Sequence, residues 1–213
     1  MNYILLLDHY HLDEPVFLKS LAQTLGTVKN KKGILLHADS SYTERIVQTG
    51  VLTEDARRRS MKDLNNRLIA LLADHGISAV GLNGYQRDII RKAGQEWQIK
   101  TDYLRSFPDG VSLVLSCLVA DENDPDNPNP AELKDVGPAL ARNLNIDKLI
   151  AFTSRDAAEV FATNESPLPF STDDSAIESS IVEDHLPEEL RSIEYKLTVT
   201  STQQLGDLLN ECL

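Results

Sequence analysis

The run Val111-Ser112-Leu113-Val114-Leu115-Ser116-Cys117-Leu118-Val119 decides the fold. Successive side chains on a strand point to opposite faces, so a strand that stays apolar without polar alternation is covered on both sides. Strands of that kind belong to parallel sheets sandwiched between helices. Outward from it lie further short apolar runs: Tyr3-Ile4-Leu5-Leu6-Leu7, Ile34-Leu35-Leu36-His37, Ile77-Ser78-Ala79-Val80-Gly81-Leu82 and Lys148-Leu149-Ile150-Ala151-Phe152-Thr153. Longer segments of helical periodicity separate them. That alternation predicts an α/β fold, a three-layer αβα sandwich around a mainly parallel sheet.

The helical segments have recognisable ends. Asp13 is placed to cap a helix with Pro15 in its first turn and Phe17, Leu21, Leu25 and Val28 on one face, stopped by Lys29 to Gly33. A short helix with Ile46 and Val47 ends at Gly50. The strongest periodicity runs from Glu54 to His75 through Met61, Leu64, Leu68, Leu71 and Leu72, with Gly76 just beyond and Arg57-Arg58-Arg59 in its early turns. Asn83-Gly84 opens into a short charged helix through Ile89, Ile90 and Lys92. The prolines of 121–130 exclude helix and central strand there. A helix over 131–144, disturbed at Gly137-Pro138, follows. Tyr195 to Val199 alternates as a strand, and Thr200-Ser201-Thr202 caps a last helix with Leu205, Leu208 and Leu209 on one face.

The chain has 213 residues, 41% of them apolar and 25% charged, which fits one globular domain over 1–213. Its net charge of −12 excludes nonspecific binding to nucleic acid or to an anionic membrane. The charge is uneven: residues 121–189 hold seventeen acids against four Lys or Arg, and the acidic, Ser-rich part over 165–189 reads as exposed. Cys117 and Cys212 give neither a disulfide framework nor metal spacing. With no basic region before the brief run Ile4 to Leu7, no signal peptide or membrane span is read, and a cytoplasmic location is expected.

Several polar residues stand where chemistry is often done. His37 closes a strand at the edge where open α/β sheets bind ligands, although a hydrogen-bonded loop histidine reads the same way. Asp39-Ser40 suits a helix N-cap. His9 and His11 form a His-x-His pair near Asp8 and Asp13. No third His or Cys lies close in sequence, so a polar loop is the plainer reading and no metal site is assigned. The acids of 121–126 lack the ordered carboxylate spacing and the glycine of a calcium loop. No glycine-rich phosphate loop is present.

The order of these pieces resembles the amino acid kinase family, most closely its acetylglutamate kinase branch. The strand ending in His37 stands at the place of the family's His-Gly-Gly-Gly loop. Gly50-Val51-Leu52-Thr53-Glu54 is similar to Gly-Leu-Arg-Val-Thr-Asp with one residue missing. Asn65 or Asn66 precedes Ala79-Val80-Gly81-Leu82-Asn83-Gly84, and Asn127-Pro128-Asn129-Pro130-Ala131 stands where the family has Asn-Val-Asn-Ala-Asp. Leu149 to Thr153 resembles the strand carrying the nucleotide loop. The resemblance implies phosphoryl transfer from ATP to a carboxylate, which needs positioning and charge neutralisation.

The required groups are largely replaced. Leu6 stands for the first-strand lysine, and Asp8 and His9 for its glycines. The loop reads His37-Ala38-Asp39-Ser40, and an Asp39 carboxylate about 4 Å from a phosphoryl oxygen would cost roughly 4 kcal/mol at an effective dielectric near 20. Val51 and Leu52 replace the substrate arginine, Ala131 the aspartate. The sequence stops before the family's Gly-Gly-Met…Lys segment, so the nucleotide subdomain is expected to be incomplete. The expectation is a noncatalytic amino acid kinase-like protein with a binding, regulatory or interaction role, without catalytic residues or cofactor. Its candidate ligand residues are His37, Asp39, Ser40, Asn83, Gly84, Asn127 and Asn129, for a small polar ligand. The resemblance also implies a homodimer through the 54–75 helix. ATP and Mg²⁺ enter only under the alternative, an acetylglutamate kinase-like phosphotransferase acting on an amino-acid carboxylate.

Overall fold

In the computed structural model, which describes residues 1–28, 32–122, 127–154 and 168–210, five parallel strands form the body of one sheet. They are β1 (Tyr3–Leu7), β2 (Gly33–His37), β3 (Ala79–Asn83), β6 (Ser112–Ser116) and β9 (Leu149–Phe152). With β10 (Phe170–Ser171) and β11 (Thr198–Thr200) the order is β10-β11-β9-β1-β2-β6-β3, and only β10 runs antiparallel. Every residue of β1, β2, β6 and β9 is buried, as apolar runs covered on both faces require.

Two cores flank this sheet. On one side Phe17 and Leu21 of α1 (Pro15–Thr27), Leu64, Leu68 and Leu72 of α3 (Thr53–Asp74) and Leu205 and Leu209 of α7 (Thr202–Asn210) pack on Leu5, Leu7 and Leu35. On the other side Val136 and Leu140 of α5 (Leu133–Leu144) share a core with Ile4, Leu6 and Leu36, the alternate residues of the same strands. The helix α5 runs on with Pro138 inside it. It lies close because Gly137 has no Cβ: one built there would meet Leu6 Cδ2 at 3.0 Å. Among the described residues the remaining α-helices are α2 (Tyr42–Val47), α4 (Thr101–Arg105) and α6 (Ser179–His185). Among the described residues no helix is long and apolar enough to cross a membrane.

A second, four-stranded sheet was not expected. It consists of β4 (Ile90–Ala93), β5 (Glu96–Ile99), β7 (Leu118–Asp121) and β8 (Asn129–Pro130), in the order β5-β4-β7-β8. The helix expected through Ile89, Ile90 and Lys92 is therefore a hairpin, turned at Gly94 with φ of +60°. The expected single strand 111–119 divides at Cys117, where β7 leaves the main sheet. Asp13 does not cap α1, which has no side-chain cap; it accepts the Ser41 hydroxyl at 2.7 Å instead. The 165–189 segment is not exposed throughout. Residues 165–167 lie outside the described residues, but Leu168, Phe170, His185 and Leu186 are buried, and the acids from Asp173 to Glu189 are exposed.

Candidate functional site

Register lines up the C-terminal ends of the central strands. Leu7 pairs with His37, His37 with Ser116 and Ser116 with Asn83, so these four share one row and one face of the sheet. The row faces α3, because Leu7 belongs to the core on that side. His37 is fully buried. Its Nδ1 lies 2.9 Å from the Ala38 carbonyl oxygen, an acceptor, so the proton is on Nδ1. Burial pushes the ring down to about 4, leaving a neutral imidazole whose Nε2 lone pair has no hydrogen-bond partner among the described residues. The buried hydroxyls of Thr43 on α2 and Ser60 on α3 are likewise without partners.

Asn83 and Gly84 are engaged by the fold. Asn83 Oδ1 accepts the Ser116 hydroxyl at 2.8 Å. Gly84 donates its N–H to the Ser116 carbonyl at 3.2 Å, and a Cβ there would meet the Leu118 carbonyl oxygen at 2.7 Å. Its glycine serves the close passage of β7, not an approach to phosphate.

Beyond β2, the half-buried Asp39 accepts from Arg57 Nε at 2.9 Å, so it is an ion-pair partner and not the helix cap expected. Ser40 supplies the turn instead, its hydroxyl oxygen accepting the Tyr42 N–H at 3.2 Å. Arg58 Nε donates to the Pro128 carbonyl at 2.8 Å, and its remaining nitrogens reach Asp55 and Glu54. The basic first turn of α3 thus points at the strand ends, with its first two guanidinium heads already held.

Beyond β1, Asp8 is fully buried and accepts from Tyr10 N–H at 3.0 Å and from His11 Nδ1. His11 Nε2 lies 3.1 Å from the Thr153 carbonyl oxygen. Both ring nitrogens therefore face oxygen atoms, which fixes the ring between Asp8 and the Thr153 carbonyl. The Thr153 hydroxyl in turn sits 2.9 Å from His185 Nδ1. The His-x-His pair is split: His11 turns inward, while the backbone N–H of His9 donates to Glu189 at 2.9 Å. Among the described residues no three His, Cys, Asp or Glu side chains are grouped to hold a metal ion.

Glu189 is the residue sequence reading missed. Although Glu189 is exposed as a residue, desolvation raises its pKa, the Asp8 and Asp39 charges add to the rise, and the His9 N–H works against it. Buried Cys117 is pushed well above the usual thiol range, chiefly by burial and then by Glu189, Asp39 and Asp135. These fields place the acids that follow β1 and β2, with those of α5 and the 188–190 turn, around one edge. Nothing near 189 in sequence signals this, because 180 positions separate it from His9.

Asn127 and Asn129 lie apart from His37's row. Asn127 is exposed. Asn129 is on β8 and donates from Nδ2 to Asp121 at 2.7 Å, facing a cavity against the second sheet.

No protein-family model matches this sequence, and no curated protein matches it. Solved structures do. Isopentenyl phosphate kinase of T. acidophilum, in a product complex, aligns over 100% of this chain and 97% of its own at 12% identity, with a TM-score of 0.59. Aspartate kinase from Synechocystis aligns over 95% of this chain and 38% of its own at 13% identity, TM-score 0.60. Another isopentenyl phosphate kinase structure covers 72% of each chain at 15% identity, TM-score 0.51. At such identities the likeness establishes the fold.

Proposed function

We propose that this chain, which has the fold of the amino acid kinases, is a noncatalytic protein of that fold holding a small neutral or cationic ligand at the strand ends. One observation carries the reading: at the end of β2, where a phosphate-binding edge needs donors, the structure buries a neutral His37 whose Nε2 is an acceptor with no hydrogen-bond partner among the described residues. Phosphate oxygens are themselves acceptors, so Nε2 repels them and welcomes an N–H or O–H. The cations nearby agree. Arg57 and Arg58 already hold carboxylate or carbonyl oxygens, so freeing either for a phosphate leaves a carboxylate uncompensated.

The opposing reading, an ATP-dependent phosphotransferase acting on a carboxylate as in the acetylglutamate kinase branch, draws on the same two arginines. Should Asp39 release Arg57, a guanidinium would stand at the end of β2. Release of ADP from ATP·Mg²⁺ decides between them, with N-acetylglutamate and isopentenyl phosphate offered as acceptors. The expected outcome is no acceptor-dependent ADP. Turnover with either acceptor overturns the noncatalytic reading. The proposal includes pairing of two copies along α3. Sedimentation at micromolar concentration is expected to give a dimer, and a monomer would exclude it.

A further inference from the structure

A cavity of about 410 Å³ lies between the second sheet and the start of α5, away from His37's row. Its volume falls within the roughly 300–1,000 Å³ of small-molecule sites. Register sets what it contains. Lys92 of β4 sits directly opposite Trp97 of β5 and beside Asp121 of β7, and cross-strand neighbours share a face. Trp97, Lys92 and Asp121 thus form one row along the cavity wall, and Glu132, Lys134 and Asp135 face it from α5 and the residue before it.

Part of the polar lining is already committed. Asp121 holds the Asn129 amide at 2.7 Å, and Lys134 lies 2.7 Å from Glu132. Two groups stand out. The Lys92 ammonium, despite having Asp121 as its register neighbour, lies 5.4 Å from the centre of the Trp97 ring. Neither it nor the Asp135 carboxylate enters a salt bridge among the described residues. The cavity therefore offers a cation that meets no carboxylate but rests over the indole, and one anion outside any salt bridge among the described residues.

We propose that this cavity binds a small zwitterion with an apolar or aromatic body. The ligand's carboxylate meets Lys92, its ammonium meets Asp135, and its body lies against Trp97. A simple anion would bring a like charge against Asp135, and a simple cation would do so against Lys92. A molecule carrying both charges satisfies both ends. This inference is independent of the strand-end reading, since it uses neither His37 nor Asp39.

Trp97 is the chain's single tryptophan, so its emission reports on this cavity. The test titrates the full chain with L-phenylalanine, and separately with phenethylamine and 3-phenylpropionate, which keep the ring and one charge each. The expected result is a saturable emission change with L-phenylalanine, at an affinity tenfold or more above either analogue. Lys92→Met and Asp135→Asn change exposed side chains and are each expected to weaken L-phenylalanine about tenfold or more, as loss of a charge-assisted hydrogen bond does. The proposal is overturned by no saturable change at millimolar L-phenylalanine, by an analogue binding as tightly, or by unaltered binding in both variants.

Discussion

Lowering the pH should unfold this protein in part through His37, and the size of the effect follows from its surroundings. In the folded chain burial holds the ring at about 4 against an ordinary 6.5, with Nδ1–H on the Ala38 carbonyl. The unfolded chain takes up a proton as pH falls through 6.5, whereas the folded chain takes none until about 4. Stability contributed by the neutral ring is therefore complete above pH 6.5 and is lost on the way down, at about 1.4 kcal/mol per pH unit. The difference of about 2.5 units between those two values amounts to about 3 kcal/mol. His37→Gln keeps a polar side chain but removes the titration. Urea unfolding of both proteins at intervals from pH 7.5 to 4, followed by far-ultraviolet circular dichroism, isolates the residue, because all other groups titrate alike in the two chains. The stability difference between wild type and His37→Gln should shift by about 3 kcal/mol across that range, to the disadvantage of wild type at low pH. A difference that stays constant would refute a neutral, buried His37.

Other consequences of the acidic edge are equally concrete. Glu189 has a raised pKa, so its ionised form is a cost at neutral pH that fades as pH falls. Glu189→Gln should raise the urea midpoint at pH 7 and lose that advantage near pH 4, and a lower midpoint at pH 7 would contradict it. Gly84→Ala drives a Cβ to 2.7 Å from the Leu118 carbonyl oxygen and should cost about 1–3 kcal/mol by thermal unfolding; an unchanged melting temperature would show that the approach is loose. The Cys117 thiol, buried and pushed up, should resist iodoacetamide at pH 8 in the native protein and react in urea. Peptide mass spectrometry would detect native alkylation, the contrary result.

The main sheet was legible because β1, β2, β6 and β9 are covered on both faces, and a strand in that position is written in Leu, Ile and Val. The second sheet was not. Ile90-Arg91-Lys92-Ala93 mixes apolar and charged residues in a way that suits a short helix, and only Gly94 with alternation at Trp97 and Ile99 marks the turn. The division at Cys117 left no trace, since the run stays apolar on both sides of the point where β7 departs. In the site, the position of His37 followed from strand order, but its protonation depends on a contact with Ala38 that no pattern encodes. The first turn of α3 reads as solvent-facing by composition. Arg57 instead turns inward because Asp39 lies within reach in the folded chain.

Equilibrium binding of ATP·Mg²⁺ to the intact chain, followed by calorimetry at neutral pH and low salt, tests most directly whether the strand ends reject a phosphate tail. With a neutral acceptor buried beneath that edge and the Arg57 and Arg58 guanidiniums already held, no saturable heat should appear up to millimolar nucleotide. Saturation in the micromolar range would contradict that arrangement.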